Sequence, residues 1–334
     1  MFLSLVALTV ALCCRPASSA HAPQLVNQNE DQLAFYKNVK SYVDLSLPEL
    51  ISSVHELKGV QPATNEEQGK KTLAAILKSV GRNVEQFYLK FPDVTSIEQI
   101  TMERSGQDGK DEARQSETFR YMAVARAGQG TASLVEYRTD MDSHPVQPKG
   151  LAQGFVVTEG FASLSICLIT ERQPESFFRY LGTERIDGRD TDVLAFAQRP
   201  GWASALIHDS TEGHDANLLV QGIAWIDPCD DQIVRLRLDL LAPRPDIGVM
   251  GDSIEITYAK VSFPEISGGS MWLPKEVKVT IDWKGMVHVK TLKYLPGTTF
   301  QTTVETEQQK EITYTNIHRY SHYRLFGSKS TLKY

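Results

Sequence analysis

The sequence predicts an α+β fold, in which helices come first and an antiparallel sheet follows for them to cover. Two observations carry this prediction and a third excludes the main alternative. Between residues 46 and 91 apolar side chains recur at helical steps, whereas beyond residue 92 they alternate with polar ones at the two-residue period of a half-buried strand. Turn residues punctuate the second part, with Asp187-Gly188 and Asp227-Pro228 each set between two such runs. No phosphate-binding glycine loop is found and the hairpins are antiparallel, which argues against a doubly wound parallel core.

At the start of the chain, residues 2–12 form an apolar run the length of a signal-peptide core. Ser18-Ser19-Ala20 offers the small residues expected ahead of a cut before His21. The run is too short to span a bilayer, which takes about 20 residues. The usual basic start is missing, since Phe2 follows Met1 directly. Lipid attachment at Cys13 or Cys14 is disfavoured, because Leu12 and Cys13 precede them where a small residue is expected. The expectation is a cleaved signal peptide over residues 1–20 and a periplasmic or secreted protein.

The helical part has its own start signals. Ser46-Leu47-Pro48-Glu49 reads as a capping box with proline in the first turn, and Thr64-Asn65-Glu66-Glu67 repeats the arrangement. After it, Leu73, Ile76, Leu77, Val80, Val84 and Phe87 fall on one face, as a core-packing helix requires. Gly81 weakens this helix by about 1 kcal/mol against alanine, so a kink or a close packing contact is expected there.

Strands are expected at 97–105, 119–126 and 133–138, and then almost continuously from residue 155, with 163–169, 178–185, 192–198, 218–226, 233–240, 254–263, 272–283, 287–294 and 311–326 the clearest. The proline-bearing loop 144–150 is the best subdomain boundary. It separates residues 21–150, helices plus first strands, from residues 151–334, with the sheet continuous across it. In residues 233–240, Val234, Leu236, Leu238 and Leu240 alternate with Arg235, Arg237 and Asp239. Leu236 and Leu238 are expected buried and the two arginines largely exposed.

Composition narrows the function. The hydrophobic fraction of 41% supplies a sizeable core, and a net charge of −6 without a basic stripe argues against nucleic acid and anionic lipid surfaces as partners. Beyond the signal peptide only Cys167 and Cys229 remain, and export permits one disulfide between them. The alternative is two separate thiols, with Cys167 buried among Ile166, Leu168 and Ile169.

Candidate chemistry is sparse. The segment His208-Asp209-Ser210-Thr211-Glu212-Gly213-His214-Asp215 holds two imidazoles and three carboxylates, which raises a metal-dependent hydrolase as an alternative. Its small polar residues suit a solvated loop better. His318 and His322 on a strand point to one side about 13 Å apart, too far for one metal; with Tyr314, Tyr320 and Arg324 they suit a polar aromatic outer surface or a groove rim. Asp227, Asp230 and Asp231 fit turn residues rather than an acid–base pair. Trp202, Trp225, Trp272 and Trp283 are too dispersed for a carbohydrate platform and are expected to fill sheet or core space. No cofactor, catalytic residue or metal ligand is assigned.

One resemblance adds to this reading. Residues 182–197, with the Asp187-Gly188-Arg189 turn and a following apolar strand, resemble the antiparallel half-barrel of periplasmic lipoprotein-sorting proteins, the LolA/LolB-like carriers and the related RseB-type sensors. Trp225-Ile226-Asp227-Pro228 followed by Ile233-Val234-Arg235-Leu236 resembles a hairpin of the same group, and the likeness covers about half the chain, mainly residues 155–294. The whole chain also resembles uncharacterised exported proteins of acidobacteria, through Phe178-Arg179-Tyr180-Leu181-Gly182 and residues 318–326. The resemblance implies a strongly curved sheet capped by the N-terminal helices, sheltering a lipid, an acyl chain or another apolar ligand without catalysis, with other envelope proteins as further partners. It transfers no individual contact residue. An envelope interaction or sensor domain, its groove filled by its own side chains, is the second alternative.

Overall fold

The structure is a computed structural model that describes residues 6–9 and 33–326, apart from 107–111, 129–130, 147–148, 153, 204–205, 212–213, 265–268 and 295–300. Its centre is a sheet of ten strands. In chain order these are β2 (Val94–Gly106), β3 (Ala113–Gly128), β4 (Thr131–Thr139), β6 (Ser176–Ile186), β7 (Arg189–Gln198), β10 (Val220–Asp227), β11 (Gln232–Leu240), β12 (Val249–Ser262), β13 (Ser270–Tyr294) and β14 (Gln301–Leu325). They lie in the order β4-β3-β2-β14-β13-β12-β11-β10-β7-β6, and every neighbouring pair is antiparallel. One sheet thus draws strands from both sides of residues 144–150. A second, four-stranded sheet has the order β5-β1-β8-β9, formed by Val6–Thr9 (β1), Val157–Glu159 (β5), Ile207–Thr211 (β8) and His214–Leu218 (β9).

The turns and caps follow from local chemistry. Asp187 and Gly188 both take positive φ, 49° and 80°, between the paired residues Ile186 and Arg189, the conformation a two-residue primed turn demands. Ser46 and Glu49 form the full reciprocal capping box of α1 (Leu47–Ser53). Asn65 caps α2 (Glu66–Lys90) by accepting from the Gln68 amide at 2.8 Å. Helix α2 buries Ile76, Val80, Val84 and Tyr88 along the expected stripe. Gly81 is a contact point rather than a kink: a Cβ there would lie 2.7 Å from Gln173 Nε2 and 2.8 Å from Thr170 Oγ1.

The sheet is curled. Laid flat, its outermost strands would stand roughly 43 Å apart at the usual inter-strand spacing. Yet α2 packs on both edge strands, β4 and β6, and on β11, while the 3-10 helix Phe161–Leu168 touches β4 and β13. Both elements lie on the concave side. There α2 and the 3-10 helix join Leu194, Phe196, Leu236, Leu238, Ile254 and Val279 in the main core. Fully burying one such side chain contributes about 1.5–3 kcal/mol.

The convex side is also covered, which the sequence reading did not anticipate. Tyr42, Leu50, Val54 and Leu57 pack on Leu181, Val193, Ala195, Ile223 and Trp225. All eight residues of β10 are consequently buried. The two helices therefore divide between the two faces instead of sharing one.

Four further expectations need correction. Residues 163–169 are not a strand but the greater part of the buried 3-10 helix, since a continuous apolar run has no period to separate the two. The presumed loop 208–215 is instead largely drawn into β8 and β9, with Thr211 opposite His214. Leu236 and Leu238 are buried as expected, but Arg235 and Arg237 are only 23% and 15% exposed because the convex cover shields them. A register shift beside Trp225 and Ile226 also moves Val234 off the face of Leu236 and into the convex cluster.

Candidate functional site

The concave interior has two zones. Over β7 and β10–β13 it is apolar. Over β2, β3, β4 and β14 the same inward alternation presents Glu98, Glu136, Arg138, Asn316 and His318. Period two explains the placement: Glu98 shares a strand face with Val94, Ile100 and Met102, all buried.

Glu98 is the hub. Arg138 holds it through two hydrogen bonds, Nε to Oε2 at 2.6 Å and Nη2 to Oε1 at 3.0 Å. Oε1 also accepts from Tyr320 Oη at 3.0 Å and faces His318 Nδ1 at 2.9 Å. Burial works to raise this carboxyl, but Arg138 and His318 overcome it and bring Glu98 down to about 2. His318 is fully buried, and the loss of water holds it below its ordinary value despite Glu98. Its Nε2 lies 3.0 Å from Thr158 Oγ1.

Glu136 behaves oppositely. Burial raises it to about 7, against the pull of Tyr121, the Ala162 amide and Arg138. Oε1 accepts from the Ala162 amide at 3.0 Å, while Oε2 has no hydrogen-bonding partner. Tyr258 Oη, from β12, is likewise buried without one. Glu136 still acts electrostatically on Tyr88, Tyr121 and Tyr258, which gathers side chains of α2, β3, β4 and β12 about one point.

This interior resolves several expectations. His318, Tyr314 and Tyr320 face inward and are buried, not on an outer surface, whereas His322 and Arg324 are exposed beyond a register shift after Ser321. Asp227 sits in its turn, where it accepts from the Cys229 amide at 2.9 Å and pairs with Arg189 at 3.0 Å. Trp225 is buried, but Trp202 is 61% exposed and stacks under Arg199. Cys167 and Cys229 are free thiols in this structure: Cys167 is held in the buried 3-10 helix, and Cys229 is exposed on its hairpin tip. Burial pushes the Cys167 thiol up to about 12. The side chains of residues 208–215 lie outside the described residues. Among the described residues no three His, Cys, Asp or Glu side chains gather as metal ligands, and no helix is long and apolar enough to cross a membrane.

Sequence reasoning singled out His318 but not Glu98, Glu136, Arg138 or Asn316. Their signal was available for Glu98, as a carboxylate inside an apolar strand face. A cavity of about 350 Å³ lies elsewhere, among Tyr42, Arg237, Asp239, Asp252 and Asp282, and its charged lining does not suit an apolar guest.

No family model matches the chain, and no curated protein matches it. Among solved structures it is similar to a putative outer membrane lipoprotein-sorting protein domain from Vibrio parahaemolyticus, at 10% identity and TM-score 0.37, covering 80% of this chain and 95% of that one. It is also similar to a DUF1329 family protein from Desulfovibrio piger, at 12% identity and TM-score 0.33, covering 78% and 94%. A LolA superfamily protein from Nitrosomonas europaea is similar at 10% identity and TM-score 0.28, covering 75% and 94%.

Proposed function

We propose that this chain is an exported binding protein that shelters an acyl chain, a lipid or another apolar guest against the concave face of its sheet. The observation that carries the reading is the make-up of that face. Its apolar zone spans five strands, and what covers it is one amphipathic helix and one 3-10 helix, neither belonging to the sheet. A guest could take the place of these covers without breaking a ladder. Each methylene it buried would contribute about 0.8 kcal/mol, so ten would bring about 8 kcal/mol towards displacing them. The polar zone would then face the guest's head.

A second reading, an envelope interaction or sensor domain, is favoured by the filling itself: α2 and the 3-10 helix occupy the interior with their own side chains. Locking α2 separates the two. Asn83 Nδ2 donates to the Asp231 carbonyl at 3.2 Å, so Asn83→Cys and Asp231→Cys in a Cys229→Ser background place two thiols for a bifunctional cross-linker. A fluorescent fatty acid such as parinaric acid should bind the uncross-linked protein and lose at least tenfold in affinity once α2 is tied. Absence of binding before cross-linking would favour the filled-groove reading. Native mass spectrometry of protein from the exporting cell gives an independent check: co-purified lipid supports the carrier, and a stoichiometric metal overturns it in favour of the hydrolase.

A further inference from the structure

We propose that residues 155–168 are a resident plug, a piece of the chain seated in the concave site in a guest's place and withdrawn as a unit when a guest enters. The proposal rests on the reading of that face as a binding site and concerns how it is regulated.

Four observations carry it. All eight residues of the 3-10 helix are buried, although loops and connectors normally run over the surface and 3-10 runs beyond three or four residues are uncommon. The segment adds no strand to the ten-stranded sheet; among the described residues its one ladder joins Val157–Glu159 to Val6–Thr9, within the expected signal peptide. Its polar anchors are chiefly side chains of other elements gripping its main chain. Asn316 Nδ2 donates to the Val156 carbonyl at 2.9 Å, Arg138 Nη2 to the Thr158 carbonyl at 2.9 Å and Tyr88 Oη to the Ser163 carbonyl at 2.7 Å, while Glu136 accepts from the Ala162 amide. Such a seat recognises backbone, so the plug is held as a ligand would be.

The fourth observation is the imperfection of the fit. Beneath the plug, Glu136 Oε2 and Tyr258 Oη are buried without hydrogen-bonding partners. Native interiors leave few such groups, each at a cost in stability. An occupant with a suitably placed polar head could satisfy both, which gives a guest an advantage over the plug. The segment also has a joint at its start: Gly154 takes a φ of 80°, where a change of backbone direction meets least resistance.

Hydrogen exchange followed by mass spectrometry on the full chain, with dodecanoic acid as the probe, tests this. In the free protein the amides of residues 161–168 should exchange through an opening of their own, at least tenfold faster than those of β10 and β11. Tyr88→Phe removes the hydroxyl on the Ser163 carbonyl and should speed that exchange about tenfold, leaving β10 and β11 unchanged. Dodecanoic acid should speed it further in both proteins. If residues 161–168 exchange only together with β10 and β11, in both proteins, they are ordinary core and the plug is overturned. Binding of dodecanoic acid with no change over residues 155–168 also overturns the plug, yet leaves the binding reading intact. Independent opening without any binding supports the plug as a unit, and then it is the apolar-guest reading that fails.

Discussion

The sheet carries a cover on each face, and the two covers are fastened differently. On the convex side the carboxylates at the contact are matched, although Arg235 Nε is buried there without a partner. Glu184 accepts from the amides of Lys58 and Gly59 at 2.8 and 2.9 Å and from Trp225 Nε1 at 2.8 Å, and Arg237 pairs with both Glu56 and Asp239. Gln61 also exchanges two backbone hydrogen bonds with Thr183, extending the edge of β6. On the concave side the 3-10 helix sits on a carboxyl oxygen and a tyrosine hydroxyl that it leaves unmatched. The difference lies in the fastening. Charge-assisted hydrogen bonds and an edge ladder hold the convex cover, whereas the 3-10 helix is held by a few hydrogen bonds to its main chain, so the convex cover is the firmer of the two.

The largest expected effect breaks the firmer side. Trp225 is fully buried between β10 and the convex cover, with Arg235 stacked on its ring and Glu184 on its indole nitrogen. Trp225→Ala should cost about 3–5 kcal/mol, read as a lower urea midpoint for the whole protein. Retained stability would mean that the convex cover contributes little, and the contrast between the faces would fail. Leu238→Ala, on the concave side of β11, should cost roughly 2–5 kcal/mol by the same mechanism.

A pH series sharpens the concave side. Glu136 titrates at about 7 when folded, above the ordinary 4.5, so the folded protein holds this proton more tightly than the unfolded chain does. The stability it brings is complete below pH 4.5 and is lost as pH rises through 7, in total about 3 kcal/mol. His318 acts in the other direction: its folded value lies below 6.5, so protonation on acidification favours opening. The difference between wild type and Glu136→Gln isolates the first effect. Urea unfolding should show the variant gaining on wild type between pH 5 and 8; a constant offset would mean that Glu136 does not titrate in that range.

Much of the architecture was legible in the sequence, and the reasons for the remainder are physical. The Asp187-Gly188 turn, the face of α2 and the burial of Leu236 and Leu238 follow from contrast between neighbouring residues, which one period resolves. In β14 that contrast is missing, because Tyr314, Asn316, His318 and Tyr320 point inward while Thr313, Thr315 and Ile317 alternate with them. Both faces are mixed, so hydropathy could not show that the polar face is the inner one. The plug was misread as a strand because Phe161–Leu168 is apolar throughout. Arg235 and Arg237 read as solvent-facing because their partners Glu255 and Glu56 come from other elements, and of the three partners only Asp239 is local. The polar zone itself is assembled from β2, β4 and β14, whose adjacency through the order β4-β3-β2-β14 no local pattern encodes.

A smaller effect concerns the two cysteines, which report on the covers without disturbing either. Cys229 should react with iodoacetamide in the folded protein, whereas Cys167 should react only as the 3-10 helix leaves the interior. Equal rates at both thiols would place Cys167 outside a protected site.

The smallest change is the most discriminating, since its sign differs between the alternatives. Tyr258 Oη is buried and has no partner, so the hydroxyl loses its hydration on folding and recovers nothing from the plug. Tyr258→Phe removes that loss and keeps the ring, and should leave the free protein as stable as wild type or stabilise it by up to about 1 kcal/mol. A hydroxyl already satisfied in the closed state would give the reverse, a cost of about 1 kcal/mol. The same substitution should weaken a guest whose polar head uses that hydroxyl, because the group idle in the plugged state is then one of its contacts. Stabilisation of the free protein together with weaker binding of dodecanoic acid would mark Tyr258 as a group kept for the guest at the expense of the fold. Destabilisation with unchanged binding would return it to the core and remove the asymmetry between the two covers.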